Sequence, residues 1–209
     1  MRALLVAGDE HRFRRESNLL RRFLTEKAGV DDISLEKGPY DDPKQIKGVL
    51  RRKLDPALAV DDEPLLLAYS GHGNGNGWQI SPGKLVEYEF LGMLLAGYPG
   101  KVLFLNACCF AGAAVSFLKL RGVSGKRLSF IGVVDENDET GDEEFLARVM
   151  HNWCFGKPHE VFKTIIFRRP AVSGDPFERI SAISKEVFWG TRHDRYFYAK
   201  TAKQSAPWI

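Results

Sequence analysis

Apolar residues fall along this chain in two ways: short unbroken runs, and longer stretches where they recur every three or four positions. Residues 1–7 form an apolar run that stops at the turn pair Gly8-Asp9. The next stretch places Phe13, Leu19, Leu20, Phe23 and Leu24 near helical spacing and closes at Gly29, a natural C-cap. Residues 33–35 suit a short strand. Residues 43–54 repeat the helical period through Ile46, Val49, Leu50 and Leu54. Residues 64–69 (PLLLAY) and 101–105 are uninterrupted apolar runs, as expected of strands covered on both faces. Between these two runs, residues 78–80 and 84–87 flank Ser81-Pro82-Gly83 as a small hairpin, and residues 90–95 continue as a short helix. Further on, the pattern predicts a helix over 113–120, a strand over 128–134 (LSFIGVV) and a helix over 145–153. Residues 161–167 and 177–183 carry weaker helical patterns, and 187–189 and 196–198 resemble short strands. Strands alternating with helices imply an α/β fold, a three-layer α/β/α sandwich with a mostly parallel central sheet. No linker or repeat divides the chain, so residues 1–209 are expected to form one domain.

Composition narrows the function classes. The 209 residues are 44% hydrophobic, enough for one sizeable core. Thirty Lys and Arg against 27 Asp and Glu leave a net charge of +3, without the concentrated basic face of a nucleic-acid binder. No apolar run reaches the length of a secretory signal or a membrane span. The three cysteines, Cys108, Cys109 and Cys154, lack the spacing of a disulfide framework. Reduced thiols in a cytoplasmic protein, with no nucleic-acid or membrane partner, are the expectation.

Two loops carry the chemistry. The run over 64–69 leads into Ser70-Gly71-His72-Gly73, and the run over 101–105 leads into Asn106-Ala107-Cys108-Cys109-Phe110-Ala111-Gly112. In parallel α/β sheets, sites form at the carboxyl ends of the strands. A cysteine nucleophile acts as thiolate and needs a base in reach, and histidine exchanges protons near neutrality. Neighbouring strands lie about 4.8 Å apart, so side chains at their ends can exchange a proton directly or through a water. Gly71 and Gly73 let the backbone turn sharply beside His72. The Gly73 amide, with that of the reacting cysteine, could form an oxyanion hole.

Tyr69-Ser70-Gly71-His72-Gly73 after one buried strand, and Leu105-Asn106-Ala107-Cys108 ending the next, resemble the two motifs of the caspase-like cysteine peptidases, a clan that includes metacaspases, legumains, separases and CHAT domains. The resemblance covers the element order from Arg2 to about Phe197. It implies a caspase-hemoglobinase-like sandwich and a cysteine endopeptidase that cleaves peptide bonds through a Cys-His dyad and a thioester acyl-enzyme. Relatives usually read acid or amide, small residue, Cys, any residue, small residue, Gly. Here the residues before the pair select Cys108 and those after it select Cys109. Strand register, in which a one-residue slip reverses every side chain, leans toward Cys108.

In many relatives the residue two before the nucleophile borders the S1 pocket, which puts Asn106 there if Cys108 reacts and Ala107 if Cys109 does, neither of them charged. Asp9 and Asp135 stand at the ends of other strands as S1 carboxylates, so a basic P1 residue is the expected preference. The acidic run 135–144 lacks the ligand spacing of an EF-hand loop, so no cofactor is expected, while the resemblance to metacaspases, some of which bind calcium, leaves calcium dependence open. A zinc site built from His72, Cys108, Cys109, His151 and Cys154 lacks the paired spacing of structural zinc. The expected partners are a protein or peptide substrate and a regulatory partner chain. The rival reading is an inactive caspase-like scaffold. A nucleotide-binding domain is disfavoured, because residues 71–77 carry no Lys-Ser or Lys-Thr after their glycines.

Overall fold

The computed structural model describes residues 1–26, 28–58, 63–123, 127–132 and 197–200. Its elements in order are β1 (Arg2–Ala7), α1 (His11–Glu26), β2 (Asp32–Lys37), α2 (Pro43–Lys53), β3 (Leu65–Ser70), β4 (His72–Asn74), β5 (Gly77–Ser81), β6 (Lys84–Glu87), α3 (Tyr88–Gly97), β7 (Val102–Ala107), α4 (Ala114–Leu120), β8 (Leu128–Gly132) and β9 (Phe197–Lys200). Six strands form the main sheet in the order β2-β1-β3-β7-β8-β9. The first five are parallel, and β9 runs antiparallel to β8 at the edge. The expected α/β sandwich is the fold observed.

The unbroken apolar runs become the buried centre of this sheet. All six residues of β3 are buried, as are Val102 to Asn106 of β7. Edge strand β2 is longer than its three-residue apolar signal and half exposed, its extra residues recruited by pairing in register with β1. Helices follow the right-handed rule for parallel crossovers. The chain moves one way from β1 to β2 and the other way through β3, β7 and β8, which places α1 on one face and α2, α3 and α4 on the other. Side chains agree with this division. Ser70 at the end of β3 reaches Glu16 of α1, while the preceding Tyr69 stacks on Trp78 of β5 at 4.5 Å. Asp42 caps α2, accepting from the Lys44 amide at 2.8 Å, and a proline opens its first turn.

Strands β4, β5 and β6 form a second, antiparallel sheet over the carboxyl ends of β3 and β7. The β5–β6 hairpin matches the sequence pattern. Strand β4 does not, because its residues His-Gly-Asn carry no strand periodicity and pair with β5 only in the folded chain. Buried Trp78 anchors this sheet, stacking on Tyr69 and meeting Phe104 edge-on at 5.7 Å. Among the described residues no helix is long and apolar enough to cross a membrane. The segments expected over 145–153, 161–167, 177–183 and 187–189, the acidic run 135–144 and the residues His151 and Cys154 lie outside the described residues.

Candidate active site

The pairing of β3 with β7 fixes how the two loops meet. Tyr69 is opposite Asn106 and Ser70 is opposite Ala107. One more bond, from the Gly71 amide to the Ala107 carbonyl at 3.2 Å, extends the ladder past the strands. His72 and Cys109 each stand two residues beyond the last paired residues of these strands. Tyr69 and Asn106 face the small sheet, and Ser70 faces α1. His72 shares the Ser70 side and meets Phe13 of α1 with ring centroids 5.1 Å apart. Cys108 points the other way, into the Asn106 side.

There Cys108 is buried in a closed polar ring. The Asn106 amide nitrogen donates to the Tyr88 hydroxyl at 3.2 Å, that hydroxyl lies 3.4 Å from the Cys108 sulfur, and the thiol donates to Asn106 Oδ1 at 3.3 Å. Trp78 Nε1 also donates to Asn106 Oδ1 at 2.8 Å, and the Asn106 amide donates to the Ala111 carbonyl at 3.1 Å. Burial pushes the Cys108 thiol up to about 12, against the opposing pull of the Tyr88 hydroxyl. At neutral pH it is held as the protonated thiol. Burial likewise holds the Tyr88 phenol well above its ordinary value, the neighbouring Cys108 adding to the effect. Cys109, the next residue, is only half-buried. Cys108, the residue favoured by strand register, is thus the more buried of the two thiols.

Two glycines are required by close approach. A Cβ on Gly71 would stand 2.3 Å from the Tyr69 hydroxyl oxygen. That hydroxyl lies 2.8 Å from the His72 carbonyl and 3.0 Å from the Gln79 carbonyl, its proton tying the histidine backbone to β5. A Cβ on Gly73 would stand 2.7 Å from the Cys108 sulfur and 2.8 Å from the Cys109 carbonyl oxygen. The histidine strand thus touches the cysteine loop at the residue expected to supply an oxyanion donor. Phe110 turns the chain after Cys109 with φ at 55°, a left-handed conformation uncommon for a bulky residue. The Asn106 bond to Ala111 closes this turn.

The predicted S1 residues fare differently. Asn106 is fully buried with its amide engaged in the ring just described, so the expectation that it borders a pocket is corrected. Asp9 is half-buried where β1 gives way to α1, and its carbonyl accepts from the Arg14 guanidinium. Burial above all holds the Tyr69 phenol well above its ordinary value. Asp135 lies outside the described residues. One residue escaped the sequence reading: Glu10, whose Oε1 lies 2.5 Å from His72 Nε2. The only signal for it was its place directly after the first strand, among the charged residues of 9–16. Among the described residues no cluster of metal-ligating side chains occurs.

No protein-family model matches the sequence. No curated protein matches it either. Solved structures do. The crystal structure of protein GSU0716 from Geobacter sulfurreducens aligns over 97% of this chain and 95% of its own, with a TM-score of 0.58 and 11% identity. That likeness is one of fold.

Proposed function

We propose that the protein is a cysteine peptidase of the caspase-like kind in which Cys109 is the nucleophile and His72 the base. The observation that supports this reading is the burial of Cys108 in its polar ring, which leaves half-buried Cys109 as the more accessible sulfur of the pair. Cys109 stands two residues past β7, as His72 stands two residues past β3. His72 takes the Cys109 thiol proton as the sulfur attacks the substrate carbonyl carbon. The resulting imidazolium passes that proton to the departing amine, leaving a thioester. Water then attacks the thioester, His72 again accepting a proton and returning it to the sulfur as the carboxylic acid leaves. The Gly73 and Cys109 amides are the proposed oxyanion donors, supported by the contact of the two loops at Gly73. Asp9, between β1 and α1, is the proposed carboxylate for a basic P1 residue. The substrates would be cytoplasmic proteins or peptides, with a partner chain controlling access.

A fluorogenic peptide library scanned at P1 tests this reading. Hydrolysis of Arg or Lys substrates, abolished by Cys109→Ala and by His72→Ala, is the expected result. A protein that cleaves none of the library, and whose Cys109 resists an acyloxymethyl ketone carrying Arg or Lys, would instead be an inactive scaffold.

A further inference from the structure

Four side chains, His72 among them, form a closed circuit that peptide hydrolysis by a dyad does not require. Glu10 Oε1 lies 2.5 Å from His72 Nε2. The other Glu10 oxygen, Oε2, lies 2.7 Å from Arg12 Nε. The Arg12 guanidinium sits over the Phe13 ring at 4.7 Å, and the Phe13 ring meets the His72 ring at 86°. Glu10 also occupies a telling place on the helix. Its carbonyl accepts the Arg14 amide at 3.3 Å, the first turn of α1, which makes it the N-cap residue. Ser, Thr, Asp and Asn are favoured there because their short side chains fold back onto the helix amides. Glu10 instead turns its carboxylate to the histidine.

We infer that Glu10 is the positioning residue that fixes the tautomer of His72, and that Arg12 fixes the orientation of Glu10. The inference rests on the dyad reading for its consequence in catalysis, though not for the tautomer itself. A carboxylate only accepts, so His72 Nε2 carries the hydrogen and Nδ1 is the nitrogen left to take the thiol proton. The hydrogen bond from His72 above all holds the Glu10 carboxyl below its ordinary value despite some desolvation, so it is ionised at neutral pH. His72 and Glu10 are 41% and 43% exposed, so the pair adds little to stability and its effect is one of orientation.

Arg12 makes the assignment testable. Arg12 Nε can only donate, so in Glu10→Gln the new amide must give its oxygen to Arg12 and present its NH₂ group to His72. Nε2 must then accept, and the hydrogen moves to Nδ1, the wrong nitrogen for taking a proton from the thiol. The experiment records imidazole ¹⁵N spectra and kcat and KM for the wild type, Glu10→Gln, and Glu10→Gln with Arg12→Ala. The wild type should show the Nε2–H form. Glu10→Gln should show the Nδ1–H form, with kcat lowered about 10- to 100-fold and KM little changed, since a wrong tautomer impairs proton transfer rather than binding. Removing Arg12 as well frees the amide to turn, and should restore the Nε2–H form and part of kcat. Retention of Nε2–H in Glu10→Gln, or no recovery in the double variant, overturns the inference. The spectra need no turnover. Reversal of the tautomer in a protein that cleaves no peptide would therefore refute the peptidase reading and leave the positioning role standing.

Discussion

Adjacent cysteines with the same chemistry end in different surroundings, one buried and the other half-buried. Cys108 is enclosed by Tyr88, Asn106 and Trp78, and holds its proton up to about 12. An ordinary cysteine in the unfolded chain ionises near 9. A thiol raised in the folded state binds more protons than in the unfolded state between those values. Its stabilising effect is therefore complete below about pH 9 and is lost as pH rises toward 12. Urea unfolding should show stability falling as pH rises above about 9. Cys108→Ala should flatten the part of that fall below about pH 10, beyond which the buried Tyr69 and Tyr88 phenols add their own. At Gly73, alanine would place a methyl 2.7 Å from the Cys108 sulfur and 2.8 Å from the Cys109 carbonyl, where backbone must shift. Gly73→Ala should cost about 1–3 kcal/mol in thermal unfolding, with activity lost beyond what stability explains. Little of this residue detail is legible in the sequence. Glu10 is one acid among several in a charged stretch, and Phe110 in the left-handed region lacks the glycine or asparagine that would announce it.

At the scale of elements, the central strands were legible because burial on both faces writes itself as an apolar run. Strand β4 was not, since its conformation comes from pairing with β5 and not from its own residues. Register was half legible. Counting from the true ends of β3 and β7 matches His72 with Cys109, but apolar runs mark strand ends only to within a residue or two, and one residue inverts the answer. Asn106 shows the same limit. Its alternation with Phe104 puts it on a buried face, yet only the folded hairpin supplies the indole that satisfies it. Trp78→Phe removes the donor 2.8 Å from Asn106 Oδ1 while keeping an aromatic ring against Tyr69. It should lower stability by about 1–3 kcal/mol in urea unfolding. It should also loosen the cysteine loop, seen as faster amide exchange at residues 108–112.

Across the whole molecule, five parallel strands order their carboxyl ends so that Glu10 after β1, His72 after β3 and Cys109 after β7 come from three neighbouring strands. That convergence is a property of the doubly wound sheet and was readable once strands alternated with helices. The identity of the reacting sulfur was not, because it depends on which face each side chain takes. Selective thiol labelling tests it most directly. The native protein at pH 7.5 is treated with iodoacetamide, with and without His72→Ala, and the modified residue is located by mass spectrometry. Fast modification at Cys109 that His72→Ala slows, with Cys108 reacting only after unfolding, is the predicted result. Preferential modification of Cys108 in the folded protein, or a Cys109 indifferent to His72, would contradict the assignment.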